Sequence, residues 1–307
     1  MSSISSPPQR TLARAAEAQG VGVHSGNPAL LRLLPAPENH GLIFVRADLD
    51  GAPEIAAHPS NIKTESLVRM TVLENKTWKG ADTKRFGASV GMIEHLLSAC
   101  AGLGLTNLRA ELDGPECPIF DGSAECYVRM MNEAGIASQS RPMKRWRLRR
   151  PVTLLRENAE LIALPAQSTR YSFFAEFRHA GLRDEQATFE MFADDYAGEI
   201  APARTFCFWK DIEMLLKAGL IKGGTTDNAI VIKDGKPVRV GNDKIPVVDE
   251  SFQFRLPNEL ARHKLLDLIG DLAVLGGPVL ALISARASGH ALHQEFAQML
   301  SDEIEPE

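Results

Sequence analysis

One pair of residues in the sequence has the spacing of a metal site. His263 and Asp267 are four residues apart in a segment with helical periodicity, so their side chains lie on one face of that helix. An imidazole nitrogen and a carboxylate oxygen at this spacing suit a divalent cation such as zinc. Because the HxxxD pattern is short, the pair taken alone is more often an exposed hydrogen-bonded i,i+4 pair.

Glu94 and His95 are adjacent in a predicted helix of the first half of the chain. A catalytic zinc usually has three protein ligands and a water, so His95 is a candidate for the third ligand. Neighbouring residues project about 100° apart around a helix. Glu94 would then lie beside the metal and could take a proton from its water. An ordinary polar pair on a helix would have the same sequence.

Three further residues could move protons or stabilise charge. His290 stands where a predicted strand passes into a helix, a position from which it could protonate a leaving group. Asp271, four residues after Asp267, could keep His290 protonated. Thr205 offers a hydroxyl for an oxyanion. A single His at a helix start and a Thr in a loop are more often structural.

Two stretches allow both a functional and a structural interpretation. The cluster of basic residues from 141 to 150, which includes Lys144, either contacts an anionic substrate or forms a solvated strand face. An apolar run either belongs to the core or lines a passage for an acyl chain. Its members are Phe206, Phe208, Trp209, Ile212, Leu215 and Leu216.

The elements that must position these residues alternate between strands and helices in both halves of the chain. Periodicity predicts strands at 29–34, 42–46, 108–112, 229–233, 238–240 and 279–284. It predicts helices at 90–101, 123–135, 209–218, 259–275 and 290–300. The polar stretch 137–150 divides the chain into domains of residues 1–140 and 141–307. The predicted class is α+β, with a site in the cleft between the two halves.

Composition excludes several classes of protein. Lys and Arg number 34 against 39 Asp and Glu, giving a net charge of −5, so general nucleic-acid binding is not expected. Four cysteines without a CxxC pair predict neither a disulfide scaffold nor a thiolate zinc cluster, and fit a cytoplasmic protein. The start of the chain has no apolar signal sequence, and the most apolar stretch, 272–285, is too short to span a bilayer. Membrane contact is expected to be peripheral at most.

In combination, these segments resemble the UDP-3-O-acyl-N-acetylglucosamine deacetylase family, the zinc amidases of lipid A biosynthesis. Seven segments carry the resemblance, in the family's order and over nearly the whole chain. They are GVGVHSG (20–26), EHL with AGLG (94–104), PECPIFDGSA (115–124), ARTF (203–206), GGTTDNA (223–229), RHK through DLIGD (262–271) and SGHAL (288–292).

The resemblance implies two similar domains, each a sheet packed against helices, with the active site between them. It implies one catalytic zinc ion bound by His95, His263 and Asp267. It also implies that Glu94 is the general base and His290 the general acid. The substrate would be an acylated UDP-amino-sugar, from which the enzyme removes acetate. We expect a monomer, because both halves of the site belong to one chain.

The remaining roles also follow from the resemblance. Thr205 would stabilise the oxyanion, while Lys264 and Asp271 would support the substrate and the acid. An inserted segment around 205–229 would form a hydrophobic passage for the acyl chain. The residues expected to contact the substrate are Phe206, Phe208, Gly224 and Lys144.

Several positions depart from the family's pattern, and four of them leave alternatives open. Cys207 and Thr226 lie in the expected acyl passage, and Arg286 and Ala287 precede the SGHAL segment. The alternatives are a divergent paralogue that deacetylates another N-acetyl sugar and a non-catalytic relative that binds a nucleotide sugar. A zinc peptidase is a third, weaker alternative because the HExxH motif is absent.

Overall fold

The structure of the protein is a computed structural model. It describes residues 6–63, 69–80, 87–178, 181–241 and 245–307.

The first half of the chain forms a five-stranded sheet with two helices. The order of the sheet is β2-β3-β8-β4-β5, while β1 pairs with β9 and β6 pairs with β7. The strands are Pro8–Leu12 (β1), Ala16–Val21 (β2), Pro28–Pro35 (β3), Leu42–Arg46 (β4), Glu54–Ala56 (β5), Val72–Glu74 (β6), Ser89–Gly91 (β7), Leu108–Leu112 (β8) and Ile136–Pro142 (β9); the helices are Glu94–Gly102 (α1) and Glu125–Ala134 (α2).

The second half forms a seven-stranded sheet around β19, with a smaller four-stranded sheet beside it. Strand β19 is antiparallel to β12 and parallel to both β10 and β13. The strands are Trp146–Leu148 (β10), Val152–Arg156 (β11), Ala159–Pro165 (β12), Arg170–Ala175 (β13), Glu185–Glu190 (β14), Phe206–Phe208 (β15), Ile230–Lys233 (β16), Lys236–Val240 (β17), Pro246–Val248 (β18), Val279–Arg286 (β19) and Ile304–Pro306 (β20); the helices are Tyr196–Glu199 (α3), Trp209–Lys217 (α4), Glu259–Leu272 (α5) and His290–Glu303 (α6).

Helix α5 lies at the centre of the molecule. All of its residues except Arg262 and Lys264 are buried, since α1, α6 and the sheet strands β13 and β14 surround it. The buried polar groups of this helix have no solvent to hydrate them, so each of these groups needs a partner within the protein.

Helices α1 and α5 cross at Gly270. A Cβ atom at this position would lie 1.9 Å from the backbone oxygen of Glu94, so only glycine allows the two helices to approach this closely. The crossing places the start of α1, from the first half of the chain, against the middle of α5, from the second.

The predicted α+β class is confirmed, while several element boundaries differ. The helix predicted at 90–101 begins at Glu94, because residues 89–91 pair with β6 and Met92 has a positive φ of 55°. The stretch 137–150, expected to be a polar junction, contains most of β9 and all of β10. Across the described residues, no helix combines the length and the apolar character that crossing a membrane requires.

Candidate active site

Helix α5 contributes a buried histidine and a buried aspartate to one cluster. The Nδ1–H group of His263 donates to the carbonyl oxygen of Ala203 at 3.0 Å. This bond leaves the lone pair on Nε2, which lies 3.4 Å from Oδ1 of Asp267. Burial lowers the pKa of His263 to about 4 despite the nearby carboxylate. His263 is therefore neutral at pH 7, as a metal-binding imidazole must be.

Helix α1 brings His95 to the same point. Its Nε2 lies 3.7 Å from Oδ1 of Asp267, and its ring is nearly perpendicular to that of His263, at 5.1 Å between centroids. One ligand atom from each of the three residues lies within 4.8 Å of the others. Two ligands at zinc-bond lengths in a tetrahedral site are separated by about 3.3 Å. The distances from Asp267 Oδ1 to the two Nε2 atoms, 3.4 Å and 3.7 Å, are close to this value.

The two oxygens of Asp267 have different surroundings. Oδ2 accepts a hydrogen bond from Nζ of Lys264 at 2.9 Å, whereas Oδ1 is buried with no hydrogen-bond partner among the described residues. Burial raises the pKa of Asp267, but the neighbouring groups, led by the charge of Lys264, outweigh burial and hold that pKa well below its usual range. An ionised, buried oxygen without a donor is unfavourable unless a cation satisfies it. The donor set therefore fits a divalent metal ion.

Glu94 lies beside this cluster as the first residue of α1. Its Oε2 accepts the backbone N–H of Thr71 at 3.1 Å, and its Oε1 lies 3.8 Å from Nε2 of His290. Burial raises the pKa of Glu94 to about 7. This carboxyl group can therefore gain and lose a proton near neutral pH.

His290 lies opposite Glu94, at the start of α6. Its Nδ1–H donates to Oδ2 of Asp271 at 2.8 Å, and its Nε2 is 3.8 Å from both Glu94 Oε1 and Asp267 Oδ2. Burial lowers the pKa of His290, but three carboxylates, led by that of Asp271, outweigh burial and raise it to about 9. His290 is thus positively charged and directs its second N–H group into the site.

Comparison with known proteins agrees with the geometry. The sequence model of UDP-3-O-acyl N-acetylglycosamine deacetylase (LpxC) matches residues 9–302. A UDP-3-O-acyl-N-acetylglucosamine deacetylase of Anaeromyxobacter sp. (strain Fw109-5) is 42% identical over 94% of this chain and 87% of its own length. That of Myxococcus xanthus (strain DK1622) is 38% identical over 96% of this chain and 87% of its own length. That of Hahella chejuensis (strain KCTC 2396) is 36% identical over 95% of this chain and 90% of its own length.

The chain belongs to the UDP-3-O-acyl-N-acetylglucosamine deacetylase family. The family resemblance seen in the seven sequence segments is thereby confirmed. So is the implied fold of two domains, each a sheet packed against helices.

Two cavities adjoin the polar cluster of this deacetylase-family chain. One, of about 600 Å³, is lined by His263, Lys264, Asp267 and His290 together with Phe208. The other, of about 610 Å³, is mostly apolar and is lined by residues of α4 and of the segment that follows it, including Gly224. Thr205 and Phe206 line both cavities, so they lie at the junction between the polar cluster and the apolar space.

The structure does not bring Lys144 to the site. Its Nζ lies 3.9 Å from the centre of the Trp146 ring, and it lines neither of the two cavities. The basic cluster around it pairs largely with the end of the chain: Arg145 with Glu307 at 2.9 Å and Arg150 with Glu303 at 2.5 Å. These pairs form because β10 runs antiparallel to β20. Of the two interpretations of this cluster, the structure favours the strand face.

Sequence reasoning missed two residues next to the site. The Nδ1–H group of His293 donates to Oδ2 of Asp271 at 2.8 Å, and its Nε2 accepts from the Ser288 hydroxyl at 2.9 Å. Its i,i+3 spacing from His290 on one helix was a usable signal. The hydroxyl of Thr71 donates to Oδ1 of Asp271 at 2.6 Å. Because these two residues are 200 positions apart, no local pattern could have found that contact.

Proposed function

We propose that the chain is a zinc-dependent deacetylase that removes acetate from UDP-3-O-acyl-N-acetylglucosamine in lipid A biosynthesis. One observation carries the proposal: donor atoms of His95, His263 and Asp267 converge on one point between two proton-transfer groups, Glu94 and His290. The names of the relatives support this substrate.

Zinc is the metal that we propose for the three-residue cluster. His95, His263 and Asp267 would bind it, and Lys264 would hold the second oxygen of Asp267. When bound, zinc polarises the substrate carbonyl and lowers the pKa of a water toward about 7.

Proton transfer is assigned to the two groups on either side of the cluster. Glu94, whose pKa of about 7 suits a base at neutral pH, takes a proton from the attacking water at Oε1. His290, kept protonated by Asp271, donates its Nε2 proton to the departing amine. The two groups thus begin the reaction in opposite protonation states, as base and acid must.

The neighbouring side chains provide the remaining contacts. The Thr205 hydroxyl would donate to the oxyanion, since Thr205 lines the cavity that contains the polar cluster. Phe206 and Phe208 would contact the sugar nucleotide. The acyl chain would occupy the apolar cavity that includes Gly224. Lys144 has no part in this proposal, because it lies outside both cavities.

We also propose the domain bounds, the oligomeric state and the cellular compartment of the protein. We assign residues 1–140 to one domain and 141–307 to the other, with the segment 205–229 inserted as an acyl passage. A monomer is sufficient because one chain supplies every group of the site. A reducing cytoplasm suits the four cysteines, none of which forms a disulfide.

Acetate release by the purified protein tests the proposal. It should require the acylated UDP-sugar rather than its unacylated counterpart, stop with a chelator and return with zinc. Acetate released from only the unacylated sugar, or from another N-acetyl sugar, would indicate a paralogue with a different substrate. Zinc binding without turnover of any of these sugars would indicate a non-catalytic relative.

A substitution of the proposed base tests its role. Glu94→Gln should lower turnover on the order of 10²–10⁴-fold without loss of zinc. Glu133→Gln, at an exposed position near the end of α2, is the matched control and should retain full activity. Normal turnover of the Glu94 variant would remove that residue from the mechanism.

A further inference from the structure

Thr71 donates two hydrogen bonds, each to a different part of the proton-transfer machinery. Its backbone N–H donates to Oε2 of Glu94 at 3.1 Å, and its hydroxyl donates to Oδ1 of Asp271 at 2.6 Å. The residue is fully buried, so water does not compete for either bond. A single residue thus contacts both the proposed base and the partner of the proposed acid.

The direction of the Thr71 hydroxyl is set by a third contact. The side-chain amide of Gln294, on α6, donates to Thr71 Oγ1 at 2.9 Å. Because Oγ1 accepts this bond, the hydroxyl hydrogen remains free to point at Asp271. The hydroxyl is therefore a fixed donor rather than a free rotor.

Asp271 accepts hydrogen bonds from three donors among the described residues. Oδ1 receives the Thr71 hydroxyl, while Oδ2 receives the Nδ1–H groups of His290 and His293, each at 2.8 Å. Removing the bond to Oδ1 would leave the carboxylate held only on its other oxygen and free to turn about its C–C bond. The angle at which Oδ2 meets His290 would then no longer be fixed.

We propose that Thr71 is a positioning residue that aligns Glu94 and His290 with each other. Its N–H directs Oε1 of Glu94 into the site, and its hydroxyl fixes Asp271 and, through Asp271, the ring of His290. The bonds join the first half of the chain to α5 and α6 of the second, so they set the distance between base and acid across the domain seam. This role rests on the proposed deacetylase function.

The test compares two substitutions at Thr71. Thr71→Val preserves shape and the backbone N–H but removes the hydroxyl, whereas Thr71→Ser retains it. Thr71→Val should lower kcat on the order of tenfold to a hundredfold, as expected for a bond to a charged group, with KM and zinc content near normal. Thr71→Ser should retain most of the kcat of the unmodified protein. Thr153→Val, at an exposed strand position, is the matched control and should behave as the unmodified protein.

A double-mutant cycle separates positioning from general stability. Since Thr71 acts on His290 through Asp271, Thr71→Val should cost less than about twofold in an Asp271→Asn background. An equal loss in both backgrounds, or full activity of Thr71→Val, would overturn the proposal. If Thr71→Val does not fold, Gln294→Met tests the same bond, because it removes the group that directs the hydroxyl. That variant should lose rate only when Asp271 is present.

A spectroscopic measurement tests whether Thr71 positions His290 without relying on turnover. In protein labelled with ¹⁵N-histidine, the Nδ1–H resonance of His290 should shift in Thr71→Val but not in Thr153→Val. If the unmodified protein releases no acetate, the proposed function fails while this measurement still decides whether Thr71 positions His290. An unchanged His290 resonance in Thr71→Val would refute the positioning role whatever the substrate.

Discussion

Replacing Gly270 with alanine should damage the metal site through the packing of two helices. The new Cβ would lie 1.9 Å from the backbone oxygen of Glu94 and 2.7 Å from its carbonyl carbon. A non-bonded carbon–oxygen contact needs about 3.3 Å, so α1 and α5 would have to separate by about 1.4 Å. The obstructing atoms are backbone, so no side-chain rotation relieves the clash.

The expected effect on the site is larger than the effect on stability. Alanine is favoured over glycine inside a helix by about 1 kcal/mol, whereas overpacking a core costs about 1–3 kcal/mol, so these terms partly cancel. Helix α1 carries His95 and α5 carries His263 and Asp267, and metal–ligand distances tolerate only about 0.2 Å. A misplacement of about 1 Å costs on the order of a hundredfold in rate. Zinc affinity and turnover should therefore fall far more than the free energy of unfolding.

Three measurements on Gly270→Ala check this reasoning. Competition with a coloured chelator gives zinc affinity, acetate release gives turnover, and thermal melting gives stability. Gly114→Ala is the control, because a Cβ atom there meets nothing within 4 Å and should change none of the three. Unchanged zinc affinity and turnover in Gly270→Ala would show that the helix crossing does not set the ligand spacing.

Three further predictions concern charge, metal and substrate contacts. Asp271→Asn removes the carboxylate that most strongly raises the pKa of His290, so the alkaline limb of the pH–rate profile should move to lower pH; an unmoved limb would contradict the assigned acid. Removing the metal with a chelator should lower the melting temperature. Zinc at 100 times its Kd should then restore about 2.7 kcal/mol to the free energy of unfolding, as measured by calorimetry. Equal melting temperatures with and without zinc would exclude a zinc site that forms only in the folded state. Lys144→Ala should leave KM for the UDP-sugar within about twofold, and a much higher KM would place Lys144 at the substrate.

Local patterns in the sequence predicted the elements with clear periodicity. Strand β8 alternates buried and partly exposed residues, and this period of two matches the predicted strand at 108–112. The hairpins formed by β11 with β12 and by β13 with β14 were missed. One strand of each hairpin, β12 or β13, pairs with β19, which begins more than a hundred residues after β13 ends, so local patterns could not reveal this pairing.

The sequence by itself determined the family and the types of group available for chemistry. It also indicated that His263 and Asp267 share a helix face, because a spacing of four residues fixes that relation locally. Tertiary structure alone decided that His95 meets them across Gly270, that Thr71 reaches Asp271, and that the basic cluster pairs with the end of the chain. Such contacts join residues far apart in sequence, so they form only when the packing of the whole core brings the two halves of the chain together.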